Sequence, residues 1–326
     1  MDPTKHSFFR GAALTGNRFS AVAYVDGLER PDDPSSTMIL TEFDASTGEW
    51  ISNQIEQARI EALASWSGGE GVEGRALDTD GAVYATTSGA KVGQIEPATP
   101  TAFHALASNV TDMVAIGDGG HFYRSQNGRD FGLITDAHLS ERPKFGAPPS
   151  EFTAYYARQF FVVNAAMDRA GHVAMATDSG IKILTPDGQL TEETAARILV
   201  GASWDPRSDT FWFSGLSPKP KIWTGKTEDG FEQVFEGVQG ESLFTSIASS
   251  STALWVGDNT APVGGVWSAD INNPNELSPI EFPAEFPASV VWKVDVVDDI
   301  VWVLRSKDLL RLENGVWDRF EPTDQA

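Results

Sequence analysis

Apolar residues in this chain fall in short runs of roughly four to eight, alternating or fully apolar, broken by Gly, Asp and Asn, which is the pattern of strands and tight turns. The clearest case sets residues 76–89, ALDTDGAVYATTSG, beside 166–180, AMDRAGHVAMATDSG, where Asp78, Gly81 and Val83 match Asp168, Gly171 and Val173 at one constant offset. In each copy an apolar strand enters an Asp-x-x-Gly turn and an alternating strand leaves it. The Asp side chain accepts from backbone amides, and the glycine takes the left-handed position. A third strand follows Ser-Gly, at residues 91–96 in one copy and 181–185 in the other.

The same grammar recurs with looser spelling. Residues 294–304, VDVVDDIVWVL, read as strand, turn and strand, and 309–312 and 316–320 complete four strands in one last unit. Hairpins at 202–214 and 245–257 each precede an outer strand, marked by Ile222-Trp223 and Val266-Trp267. Second strands centred on Val22, Val83, Val114, Val173, Trp212, Trp255 and Trp302 give a mean step of about 47 residues, the length of one four-stranded propeller blade.

Such sheets hide their faces by stacking radially, and a closed ring leaves only short edges. The expected fold is therefore all-β, a single seven-bladed β-propeller of four-stranded antiparallel blades, filling residues 1–326 as one domain. Uneven spacing keeps six- and eight-bladed rings as alternatives. Because the last unit owns its fourth strand, closure should rest on packing of the first blade against the last.

Composition agrees: 10 Trp, 19 Phe and 30 Gly suit pleated surfaces joined by glycine turns. The formal charge of −22 repels phosphate backbones and anionic lipid, so neither nucleic acid nor a membrane surface is an expected partner. It would steer a basic protein inward, although an acidic coat also simply keeps a chain soluble. Without cysteine there are no disulfides, thiolate metal sites or thiol nucleophiles. Residues 1–19 lack a signal-peptide core and no apolar run reaches the ~20 residues of a membrane span, so a soluble, cytoplasmic, monomeric protein is expected.

Two motifs carry a resemblance. The strings from Ala76 and Ala166 resemble repeats of the propellers in two-component sensor ectodomains. Residues 123–131, YRSQNGRDF, are similar to the Asp-box turn of sialidase-like and photosystem-assembly-like propellers, with Ser125, Asn127 and Gly128 at its centre and Asn127 where the motif usually has Asp. Residues 227–231, TEDGF, are a fainter version. Both motifs are structural in their families, so they imply a fold and no chemistry.

Catalytic signatures are thin. A sialidase-like site would need an arginine cluster and a Tyr and Glu pair, and only Tyr155 and Tyr156 near Glu151 hint at it. A sugar or lactone hydrolase or lyase would need channel carboxylates on a cation such as Ca²⁺; Asp78, Asp80, Asp168, Asp205, Asp209, Asp298 and Asp299 are candidates, but turn capping is the ordinary role of Asp at such positions. No other cofactor is expected. The histidines at 6, 104, 121, 138 and 172 show no paired zinc spacing. The insertion at 136–160 breaks the rhythm and gathers Arg142, Lys144, Phe145, Tyr155, Tyr156 and Arg158 in an acidic chain. Arg and Tyr dominate binding hot spots, so these six are the expected partner-binding residues. A second insertion, 26–37, reads as a solvated loop. The leading expectation is a non-enzymatic scaffold that binds a protein, such as an immunity-like neutraliser of a basic toxin. The hydrolase is the alternative, and a small-molecule sensor comes third.

Overall fold

Strands buried on both faces lose the polar alternation of a half-exposed sheet, and the second strands of this protein show it. In Met113–Gly117 every residue is buried, with Val114 and Ile116 facing one neighbouring sheet and Met113 and Ala115 the other. Val301 and Val303 likewise pack on one side of Ile300–Arg305, and Trp302 and Leu304 on the opposite side. A period of two thus places successive side chains in two different seams.

The computed structural model describes residues 6–25, 37–56, 58–67, 71–97, 101–135, 148, 160–194, 198–216, 219–240, 242–260 and 265–322. Their strands form seven four-stranded antiparallel sheets, each from four consecutive strands, arranged as a seven-bladed β-propeller. The first strands, His6–Ala13, Ile60–Trp66, Phe103–Ser108, Val162–Met167, Leu199–Asp205, Phe244–Ser249 and Val291–Val297, neighbour one another around the axis and line a central channel. Seven hydrophobic clusters fill the seams, one between each pair of adjacent blades.

Among the described residues closure uses no shared strand. At the seam of blades 7 and 1, Trp302 packs with Phe19, Phe43 and Phe320 at centroid distances of 5.6–6.4 Å and donates its indole N–H to the Thr15 carbonyl. Arg311 donates to Gly16 and Asn17, and one backbone bond runs from Phe8 to Ser306 at 2.9 Å.

Six of the seven second-strand centres lie where the spacing puts them. Val83 does not: it sits on the third strand of blade 2, Ala82–Ala85, and Lys91–Gln94 is the fourth. The two matched Asp-x-x-Gly turns therefore occupy different places, between second and third strands at Asp78 and between first and second at Asp168, on opposite faces of the ring. Their local chemistry is the same. Gly81 and Gly171 have φ of +86° and +90°. Asp78 Oδ1 accepts from Ala82 N, and Asp168 Oδ1 from His172 N, at 2.7 and 2.8 Å. Burial pushes the Asp78 carboxyl up despite these bonds, and burial together with the Asp78 charge pushes the Tyr84 hydroxyl up to about 12.

The turn around Asn127 joins the third and fourth strands of blade 3. Ser125 and Asn127 side chains accept from Arg129 N, Asn127 also accepts from Asp130 N, and Gly128 has φ +64° against Trp66.

Candidate functional site

In every blade the innermost strand carries one extra residue. Pairing with the second strand skips between Phe8 and Arg10, Ile60 and Ala62, Phe103 and Ala105, Val162 and Asn164, Leu199 and Gly201, Phe244 and Ser246, and Val291 and Lys293. The residues released are Phe9, Glu61, His104, Val163, Val200, Thr245 and Trp292, and all seven line one cavity of about 250 Å³. A bulge re-aims a side chain out of the pleat. Repeated once per blade, it builds a ring at the channel end where the inner strands begin.

A second ring lies two residues earlier. In the six blades where both partners are described, the first residue beyond the second strand donates its amide to the residue preceding the first strand. The acceptors are Arg59, Ala102, Phe161, Ile198, Leu243 and Val290, at 2.9–3.3 Å. Blades 4 to 6 thereby present three large apolar side chains in succession: Phe161, Ile198 and Leu243 are 45, 38 and 43% exposed. Aspartates hold this arc in place. Asp178 accepts the Phe161 amide on its carboxylate and the Ile198 amide on its carbonyl, and Asp258 accepts the Leu243 amide on its carboxylate.

Ile198 has φ +50°, a conformation that crowds a β-branched side chain and costs about 1–2 kcal/mol. Strain of this kind clusters at functional sites. Ile198→Gly should raise stability by up to about 1 kcal/mol, the released strain exceeding the entropy lost with glycine. A urea midpoint that falls instead would show that Ile198 packs more than it strains.

The rest of the mouth, on blades 1 to 3, is polar and paired, and it meets the arc where the His104 ring packs on Phe161 at 4.6 Å. Arg10 donates to the Glu61 carbonyl and carboxylate at 2.9 and 3.3 Å, Arg59 donates to the same carboxylate, and His104 is hydrogen-bonded to Asp118 at 2.7 Å. A second cavity of about 240 Å³ continues along the channel toward the ends of the inner strands. The two cavities share Gly11, Leu63, Leu106, Asn164 and Lys293, which form the waist between them.

The seven turn aspartates do not converge on this channel. Asp205 is committed to Arg207 and Ser208, and Asp209 to the Trp204 indole. Asp299 accepts from Ser251 N and Arg207; burial pushes its carboxyl up, but these partners outweigh burial and hold it below the usual range. Asp298, like Asp209 and Asp299, lies in a left-handed turn. The only carboxylates lining the two cavities are Glu61 and Asp295, among the described residues, and Asp295 already accepts from Ala13 N and Val296 N. Among the described residues no group of three or more His, Asp or Glu is placed to hold a metal ion. The converging carboxylates that the hydrolase reading requires are thus not formed by the candidates named for it.

Arg142, Lys144, Phe145, Tyr155, Tyr156 and Arg158, with Glu151 and His138, lie outside the described residues. The bulge ring itself was missed by the spacing, yet a signal exists. Each bulge follows a large apolar residue that is 3% exposed or less: Phe8, Ile60, Phe103, Val162, Leu199, Phe244 and Val291.

No protein-family model matches the sequence, and no curated protein does. Solved structures do. YCF48 bound to D1 peptide is similar at 12% identity, covering 98% of this chain and 94% of that one, with a TM-score of 0.61. The Myceliophteria thermophila Cps50 (Swd1) propeller domain gives 9% identity, coverage of 97 and 98%, and a TM-score of 0.61. A chain of the mitotic checkpoint complex gives 14%, 92 and 86%, and 0.59. At these identities the likeness is one of fold, and it agrees with the propeller architecture.

Proposed function

We propose that this propeller is a binding module that receives a protein partner on the apolar arc of its bulge face, and that it carries no catalysis of its own. The observation that carries the reading is the succession Phe161, Ile198 and Leu243, three exposed apolar side chains at equivalent positions of consecutive blades, each pinned through its backbone. Scattered exposed apolar residues are ordinary, whereas a contiguous apolar arc with a polar border is the anatomy of an interface. Among the solved propellers of similar fold, one is bound to a peptide and another sits in a multiprotein complex, which is in keeping with this use of the fold. The net charge of −22 adds long-range attraction for a basic partner and sets its on-rate more than its affinity. Neutralisation of a basic toxin and service as an assembly scaffold are the two finer forms of this reading.

The test is site-specific photo-crosslinking in the source cell. A photoreactive residue at position 243 should give one discrete protein adduct, which Phe161→Asp abolishes without shifting the melting temperature. The same probe at Val316, 62% exposed on an outermost strand, should give none. Equal adducts from both positions, or an adduct indifferent to Phe161→Asp, would refute docking on this face.

A further inference from the structure

The inner strands place five ionisable side chains along the channel, and four of them are committed. Arg10 is paired with Glu61, His104 with Asp118, and Asp295 with two backbone amides. Lys293 differs. It lies at the waist on the inner strand of blade 7, half-buried, lining both cavities, and among the described residues its ammonium meets no carboxylate and no hydrogen-bond acceptor. Across the ring, on blade 4, Asn164 lines the same waist. Its Oδ1 accepts from the Ala165 amide at 2.8 Å, and among the described residues its NH₂ has no acceptor. The waist therefore presents side-chain donors from two nearly opposite blades. Its remaining wall is small or apolar: Gly11, Leu63 and Leu106.

We infer that the channel waist binds a small organic monocarboxylate, its carboxyl group between Lys293 and Asn164 and its apolar body against Leu63 and Leu106. An ammonium with an amide NH₂ selects an anion, and a charge-assisted bond is about twice as strong as a neutral one. The apolar side of the waist favours a hydrocarbon body over a fully hydrated inorganic ion. The overall charge of −22 penalises a second negative charge on the ligand, so a monoanion is preferred to phosphate. Cavities of about 250 and 240 Å³ on either side leave room for a body of a few carbons. This site stands apart from the docking arc, and its occupancy needs no partner.

Butyrate is the probe, with butyramide as its neutral isostere and inorganic phosphate as the competing anion. Calorimetric titration of the wild type should show saturable butyrate binding, weakened about tenfold or more in Lys293→Met and several-fold in Asn164→Leu. Phosphate should compete poorly and butyramide should not bind. In crystals soaked with bromide, an anomalous peak should lie in contact with Lys293 Nζ. Butyrate binding equal in wild type and Lys293→Met, binding of butyramide as strong as that of butyrate, or phosphate binding as tight would each overturn the assignment. Should Lys293→Met fail to fold, Asn164→Leu and the bromide position in the wild-type crystal decide. Butyrate binding is read on the isolated protein and docking by crosslinking in the cell, so failure of the docking proposal and failure of this one remain distinguishable.

Discussion

Asp308→Ala should destabilise the protein by about 3–5 kcal/mol, the range for breaking a buried ion pair from one side. Asp308 and Arg305 are each 1% exposed. Asp308 Oδ1 accepts from Arg305 Nε at 2.6 Å, and Oδ2 accepts from Arg305 Nη2 and Arg319 Nε at 2.5 Å. Arg305 also donates to the Pro287 carbonyl and lies over the Phe282 ring. Removing the carboxylate leaves this guanidinium desolvated and without a counter-charge, while the packing that encloses it stays in place. The cost belongs to the orphaned charge rather than to the pair, so Asp308→Ala combined with Arg305→Met should recover most of it. Urea denaturation of the two variants measures both numbers, and a single-variant cost under about 1 kcal/mol would mean that water reaches Arg305.

Trp302→Ala should cost a similar amount, about 3–5 kcal/mol. The indole is fully buried at the seam of blades 7 and 1, against three phenylalanines and under Arg311. Alanine would leave a cavity between two sheets joined, among the described residues, by one backbone bond between Phe8 and Ser306. Each of the other six seams also has a covalent crossing, the chain itself. Trp255 on the equivalent strand of blade 6 is only partly buried, so Trp255→Ala should cost markedly less. Equal losses in the two variants, read from the same denaturant titration, would show that the open seam has no special dependence on its tryptophan.

The ring was legible because burial on both faces makes second strands read as apolar runs, and these recur at blade spacing. Val83 misled for a definite reason. An Asp-x-x-Gly turn encodes a hairpin through the side chain of one Asp and the φ of one Gly, and any hairpin of a blade can use it. Asp78 and Asp168 therefore share a turn without sharing a position. The bulge face was less legible. A bulge is a property of two paired backbones, and the residues it exposes here, Phe9, Glu61, His104, Val163, Val200, Thr245 and Trp292, have no type in common. Only the buried apolar residue before each one repeats, and that regularity surfaces once the strands are aligned by their pairing. The arc of Phe161, Ile198 and Leu243 is hidden for the same reason, since each reads alone as the apolar start of a strand.

Among the described residues each hydrogen-bonded sheet is drawn from four consecutive strands, and none borrows a strand from the opposite end of the chain. A duplication or deletion that moves one blade's worth of sequence therefore carries away a finished sheet and leaves its neighbours' ladders whole. Propellers that close by exchanging a strand couple their first and last repeats, so neither can change without the other. In this protein the end repeats are bound to each other by the packing of their faces and by the few hydrogen bonds across the seam, and by no shared ladder.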